Sequence, residues 1–296
     1  MKRSTAVLLA VFLTLSTITA FAASASSYLL AGASNGMVWS CWFNGSHMKT
    51  IGSGGDPTLS QDGRWLAYAS GGNVYLRDLR RNKQILSFPG SEPSLSPDGS
   101  QVVYNDAGVI KIRSFSSGSV TTISDPAVLS TSPSWGSNII VWKVSKPIPF
   151  LPEYDQFAIM AYDVTNGQVW TFVEGAVAIF GIGGIIIING DGDIDIPDEQ
   201  YVVSVQEFVK PVISRNDQVV ATTSLLGESV YLSFIHLDGS AGKSFANKTL
   251  PVWDPWGAGV FCHDNIANQE QYISVDGFQI SPATFPVGVT ATAMRR

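Results

Sequence analysis

The sequence predicts an all-β chain folded as a β-propeller, and three observations carry that prediction. The first is a repeated motif. Pro93-Ser-Leu-Ser-Pro-Asp-Gly99 runs into the alternating stretch Gln101-Val-Val-Tyr104, and Asp56-Pro-Thr-Leu-Ser-Gln-Asp-Gly63 runs into Trp65-Leu-Ala-Tyr68. Each reads as a short strand, an Asp-Gly turn capped by its own carboxylate, and a second strand, with glycine where positive φ is needed. The second is an interval. Pro57 and Pro93 lie 36 residues apart, and weaker copies follow at Pro133-Ser-Trp135, Pro211-Val-Ile-Ser-Arg-Asn-Asp217 and Pro251-Val-Trp253. Spacings near 40 residues with several short strands per unit mark a propeller or similar array. The third is composition: 28 Gly and 15 Pro with only 14% charged residues suit many short strands and turns.

Labelling the strands of a unit a to d, the first unit lacks a: Tyr28–Ser34 reads as b, Met37–Trp42 as c and His47–Ile51 as d. The second is complete, at Pro57–Ser60, Trp65–Ala69, Asn73–Leu79 and Gln84–Phe88. The third places c at Val109–Phe115 and d near Val120–Ile123. In the fourth, b is Ile139–Val144, c is Phe157–Asp163 and d lies near Gln168–Phe172. A fifth unit without a proline anchor is read at Ala176–Phe180, Ile185–Ile188 and Tyr201–Gln206. The sixth runs through Pro211–Ser214, Gln218–Thr222 and Ser229–Ile235. The seventh runs from Pro251 through Val260–His263 and Gln271–Val275 to Phe278–Ile280. A strand near Thr284–Val289 is left over, and joining it to the incomplete first unit closes the ring and removes exposed edges. Seven blades of about 39 residues fill the available length. Six blades, with the fifth region irregular, is the alternative.

The Pro-Ser-Leu-Ser-Pro-Asp-Gly repeat resembles that of TolB-like β-propellers. The resemblance implies a protein-binding scaffold, although some related propellers stand beside a peptidase domain. Such a motif reports fold and leaves activity to the site.

Residues 1–22 read as a signal peptide: Lys2 and Arg3, an apolar run from Ala6 to Phe21, and Ala20-Phe-Ala22 as a small-x-small cleavage site. The run is short for a membrane span. The expectation is therefore an exported domain over residues 23–296, monomeric, in the periplasm, at the cell surface or outside the cell. Without Lys2 and Arg3 the chain carries 16 basic against 24 acidic residues, a balance that gives nucleic acid and anionic lipid no electrostatic hold. Cys41 and Cys262 fall in the first and last units, where ring closure would allow a disulfide; two separate buried thiols is the other reading.

Two inserted segments are the candidate functional regions. Lys146–Asp155 reads as a proline-stiffened loop between b and c of unit four, offering Phe150, Leu151 and Tyr154 for binding. Residues 189–199, Asn-Gly-Asp-Gly-Asp-Ile-Asp-Ile-Pro-Asp-Glu, resemble the calcium loop of EF-hand and dockerin repeats. Asn189, Asp191, Asp193, Asp195 and Asp198 are the candidate ligands, with Gly192 at the sharp turn. Ile187 stands where the first ligand belongs, so any calcium site is weak. Both segments, and Trp256 of unit seven, are expected on one face of the ring, where a protein or cell-envelope component would bind.

A secreted lyase or hydrolase with carboxylates and a metal at the channel mouth is the competing function. It would need charged groups on the a strands, which read as apolar and Ser-rich. Gly32-Ala-Ser-Asn-Gly36 matches a nucleophile-elbow pattern but sits where the next unit has a hairpin turn. His47, His236 and His263 show no metal-ligand spacing.

Overall fold

A computed structural model describes residues 28–42, 45–148, 151–175, 177–181, 184–188, 202–226, 229–238, 240, 242–254, 257–275, 279–280 and 289–294. The strands form six sheets around a central axis. Blade 1 takes β1 (Tyr28–Ser34), β2 (Met37–Trp42) and β3 (Lys49–Ser53) from the start of the chain. Blade 2 is β4 (Gly55–Leu59), β5 (Trp65–Ser70), β6 (Asn73–Asp78) and β7 (Lys83–Pro89). Blade 3 is β8 (Ser91–Leu95), β9 (Gln101–Asp106), β10 (Val109–Ser114) and β11 (Val120–Thr122). Blade 4 is β12 (Leu129–Trp135), β13 (Ile139–Ile148), β14 (Leu151–Asp163) and β15 (Val169–Glu174). A hairpin of β16 (Val177–Gly181) and β17 (Gly184–Ile188) follows. Blade 5 is β18 (Val202–Ile213), β19 (Val219–Leu226), β20 (Ser229–His236) and β21 (Ser244–Ala246). Blade 6 is β22 (Lys248–Trp253), β23 (Gly259–Asp264), β24 (Gln269–Ser274) and β25 (Gln279–Ile280), and β26 (Val289–Met294) ends the chain.

The ring closes between the two ends of the chain as anticipated, but through Val289–Met294 and not the expected Thr284–Val289, of which residues 284–288 lie outside the described residues. β26 takes the innermost place of blade 1, antiparallel to β1, with Tyr28 opposite Met294 and Leu30 opposite Thr292. The blade count is six, which corrects the expected seven. The segments read as strands of a fifth unit do not make a blade: β16 pairs with β17 on one side and with Val202–Val205 of β18 on the other. The reason lies in β18, which runs unbroken for 12 residues through Pro211. The stretches read as the c strand of unit five and the a strand of unit six are therefore one strand. A proline that marks a unit sits inside its strand, at a bulge, and does not mark the start.

Each blade buries both faces, which explains why strands such as Trp65–Ser70 and Gln101–Asp106 carry near-continuous apolar runs. Alternate residues serve alternate neighbours. Leu66 packs toward blade 1 with Ile51 and Leu59, whereas Ala67 packs toward blade 3 with Leu95 and Val102. Likewise Ile140 faces blade 3 with Ile110, and Val141 faces blade 5 with Phe208 and Val220. Cys41 and Cys262 are thiols in separate clusters, one with Leu30 and Trp39 and the other with Phe234 and Ile273. Burial pushes the Cys41 thiol up to about 11.

Hydroxyls stitch the inner strands together. Leu95 N–H donates to Thr58 Oγ1 (3.3 Å), Trp135 N–H to Ser94 Oγ (3.0 Å) and Ile213 N–H to Ser134 Oγ (3.2 Å). The residue after the anchor proline thus satisfies a main-chain donor two positions past the proline of the next blade. In blade 5 that position is Val212, and Trp253 Nε1–H of blade 6 donates instead to its carbonyl (2.8 Å).

Candidate functional site in the central channel

Five inner strands share one irregularity. The residue before each anchor proline lies in the left-handed region: Asp56 (φ 48°), Glu92 (49°), Ser132 (55°), Lys210 (49°) and Leu250 (55°). At each, the ladder with the next strand shifts by one residue, as between Gly55 and Thr58 or Val209 and Val212. The proline has no N–H to lose at a bulge. Holding a non-glycine residue at positive φ costs about 1–3 kcal/mol, which the surrounding sheet must supply. The bulges form one rim of the channel. At the other end, Ser60, Ser96, Gly136, Ser214 and Asp254 open the a–b turns in register, each N–H bonded to the carbonyl of the strand that follows, as Ser60 to Trp65 O and Asp254 to Gly259 O. In three of these turns the serine accepts a further main-chain N–H and donates to the acid or amide two residues on, as Ser96 Oγ to Asp98 Oδ1 (2.7 Å). Gly136 has no side chain to give, and Asp217 of the next blade accepts from Ser137 N and Asn138 N, both at 2.6 Å.

Between the two ends lies a cavity of about 130 Å³. Its walls mix the apolar faces of Pro57, Pro93, Pro133, Pro211, Trp135 and Trp253 with the hydroxyls of Thr58, Ser94 and Ser134, and its ends are charged. At the bulged rim Lys210 Nζ of blade 5 reaches across to Asp56 Oδ1 of blade 2 (3.1 Å). With the two side chains 37% and 46% exposed, this pair adds no more than about 1 kcal/mol. Glu92 Oε2 accepts from Ser132 N (2.8 Å) and Asn105 Nδ2 (2.9 Å). At the turn end Arg215, again of blade 5, crosses to Leu59 O of blade 2 (3.0 Å) and also donates to Trp135 O (3.5 Å). Asp254 accepts from Tyr272 O–H (2.6 Å) and Ala258 N (3.0 Å). Burial, and then the Asp254 charge, raise the Tyr272 phenol well above its ordinary value and keep it a donor.

The expectation of an apolar, Ser-rich channel is therefore corrected. Sequence pattern places Thr58, Ser94 and Ser134 on the inner strands, but the positive φ of the pre-proline residue brings Asp56, Glu92 and Lys210 to the channel. The signal was present, since the residue before each anchor proline is legible once the repeats are aligned.

The other candidates fall as follows. Residues 146–155 do not form a loop folded on the ring. β13 and β14 continue as a two-stranded ribbon, Lys146 opposite Gln156 and Pro147 opposite Asp155, ending at the Ile148–Leu151 pair beyond a bulge. Tyr154 on that ribbon is 36% exposed, and Ser145 Oγ donates to Asp155 Oδ2 across it. Phe150, Trp256 and the candidate calcium ligands Asn189, Asp191, Asp193, Asp195 and Asp198 lie outside the described residues. Of the candidates whose side chains are described, Tyr154 does not line the cavity. Ser34 ends β1, and Asn35 and Gly36 make a plain two-residue hairpin turn to β2, which removes the elbow reading. Among the described residues no three His, Cys, Asp or Glu side chains are grouped to hold a metal ion, and no helix is long and apolar enough to cross a membrane.

No protein-family model and no curated protein matches the sequence. Solved structures do match. TolB from Acinetobacter baumannii superposes with a TM-score of 0.61 at 16% identity, over 91% of this chain and 67% of that one. A chain assigned to TolB in Agrobacterium tumefaciens gives 0.51 at 14%, over 82% and 85%. The tricorn protease gives 0.54 at 11%, over 86% of this chain and 33% of its own. At these identities the likeness is one of fold: the chain is a six-bladed β-propeller built like those of TolB.

Proposed function

We propose that the protein is exported after loss of residues 1–22 and acts as a monomeric binding scaffold for a protein or cell-envelope component. One observation carries the reading. The β13–β14 ribbon is a b–c connection and the β16–β17 hairpin a d–a connection, and in an up-and-down ring both kinds emerge at the same end, that of the bulged rim. Among the described residues the other b–c and d–a connections are short, so two neighbouring hairpins of extra length are material the ring does not need. Leu151 and Tyr154 belong to the first hairpin. The likeness to TolB supports a scaffold in place of a catalyst, and the carboxylates of the channel are each engaged in hydrogen bonds.

The test is to replace residues 147–155 by Asn-Gly, joining the paired residues Lys146 and Gln156 through a two-residue hairpin turn that keeps the register. Affinity capture from the envelope fraction of the producing cell is expected to lose its partner, with the melting temperature shifted by no more than about 2 °C, because the core pairs from Ile139 to Ser145 remain. Unchanged capture would put the binding face elsewhere.

On sequence alone, the 189–200 loop adds a weak calcium site to this face. Calorimetric unfolding in calcium and then in chelator should show a calcium-dependent rise in melting temperature, since a ligand of the native state stabilises it by mass action. Changing Asp191 and Asp193 to Asn should abolish the rise; identical curves with and without calcium would leave a solvated acidic loop.

A further inference from the structure

Arg215 lines the cavity without an ion pair, whereas most other cations that reach into the fold have one; Arg77 and Arg113, which lack one too, do not line it. Arg64 donates through Nε and Nη2 to buried Asp78, Lys248 is paired with Asp264, Lys143 with Glu207 and Lys111 with Asp106. Arg215 has no carboxylate within ion-pair distance among the described residues, and its partners are two main-chain carbonyls. A guanidinium carries five donors in a rigid fork. Two are used, and the side chain lines the cavity. The acid nearest in chain, Asp217, spends both oxygens on Ser137 N and Asn138 N. Asp254, on the same wall, holds Tyr272 O–H and Ala258 N. Burial pulls the guanidinium down to about 10, and the Asp217 charge, beyond ion-pair distance, offsets this only in part.

From this geometry we propose that the central channel is a binding site for one small monocarboxylate, anchored by the Arg215 guanidinium. A carboxylate matches the fork with two parallel hydrogen bonds and supplies a counter-charge in direct contact, where Asp217 acts only from a distance. The proline, Trp135 and Trp253 faces of the wall suit a short hydrocarbon portion. About 130 Å³ is room for a few waters or one small organic acid. The charge of the site sets the class further. Asp56, Glu92 and Asp254 face the same space as Lys210 and Arg215, so a second negative charge on the ligand meets repulsion, and a phosphate dianion is disfavoured. The Lys210–Asp56 pair lies across the rim opposite Arg215. It is weak enough to part for an entering ligand and narrows the way for anything larger. The inference is independent of the binding face assigned above.

The experiment is isothermal titration calorimetry of the full mature chain with sodium propionate, against sodium chloride at matched ionic strength. Saturable propionate binding is expected, not displaced by inorganic phosphate, and weakened at least about tenfold by Arg215→Gln, which keeps a donor for Leu59 O and removes the charge. Arg215→Lys keeps the charge without the planar fork and should weaken binding severalfold. It decides the matter if the glutamine variant fails to fold. The tripeptide Gly-Gly-Ala, as free acid and as amide, separates two sources of the same group. Binding of propionate alone assigns a free small acid, and binding of the free-acid peptide but not its amide assigns a peptide C-terminus. No saturable binding of propionate, equal affinity in the arginine variants, or equal binding of acid and amide peptides overturns the proposal.

Discussion

A chain ending at Gly288 is expected to lose its cooperative unfolding transition. Without β26, blade 1 has no inner strand, and β1 presents a bare row of N–H and C=O groups from Tyr28 to Gly32 toward the axis. β26 also packs against β4 of blade 2 and β22 of blade 6, so its removal opens the ring on both sides at once. A folded domain rests on a net stability of about 5–15 kcal/mol, and loss of a whole inner strand with its ladder is of that order. Circular dichroism of the truncated chain should show a broad, early melt, with aggregation through the open edge. A synthetic peptide spanning residues 284–296 should restore the sharp transition by refilling the gap. A truncated chain that melts within about 2 °C of the intact one would mean that the ring holds without its last strand.

Asp264→Ala is the substitution with the largest expected cost. The carboxylate ends β23 in a buried position and accepts from Lys248 Nζ, from Gln271 Nε2 (2.9 Å), and from the main-chain N–H groups of Ile266 (3.0 Å) and Ala267 (3.1 Å). Removing it leaves the Lys248 ammonium buried without its counter-charge, which typically costs about 3–5 kcal/mol. Urea unfolding should show that loss as a lower midpoint at unchanged slope. The double variant Lys248→Met, Asp264→Leu should recover the part due to the unpaired ammonium, and the loss of the Ile266, Ala267 and Gln271 hydrogen bonds should remain. A single-variant loss below about 1 kcal/mol would count against a buried pair.

The same group sets an acid limit. The Lys248 hydrogen bond, with the Ile266 and Ala267 N–H groups, outweighs burial and holds the Asp264 carboxyl below its ordinary 3.8. A carboxyl lowered in the folded state binds protons more readily when unfolded. Its contribution is therefore complete above 3.8 and is lost as pH falls from there through the folded value. Asp78 adds to the effect. Burial alone would raise it, but the Arg81 N–H and the Arg64 guanidinium hold it low. Stability of the parent should fall steeply below about pH 4, and the Asp264→Ala variant should show a shallower decline there.

The reading from sequence succeeded where the controlling interactions are local. The Ser-x-Asp-Gly turns are set by a hydroxyl and a carboxylate two residues apart, with Gly63 at φ 64° and Gly99 at φ 69°, so their chemistry is written within a few residues. Strand alternation followed because each blade is buried on both faces, and the missing first strand implied closure by the last. The blade number was not local. Whether Val202–Gln206 and Pro211–Ser214 are two strands or one depends on what lies alongside. The β16 edge and the β19 edge each take half of β18, and that pairing reaches across the chain. The ribbon is not legible for a similar reason: its prolines read as a loop, but Pro147 lies within a hairpin whose length is set by pairing of β13 with β14.

The channel shows the division most clearly. Sequence alone determined that residues such as Thr58, Ser94 and Ser134 follow each anchor proline, and hence that the inner strands are small and hydroxylated. That Asp56 meets Lys210 and that Arg215 reaches Leu59 was decided only by the tertiary structure, because blades 2 and 5 stand opposite one another in a ring of six. Partners about 155 residues apart in the chain are brought together by the number of blades, which no window of the sequence contains.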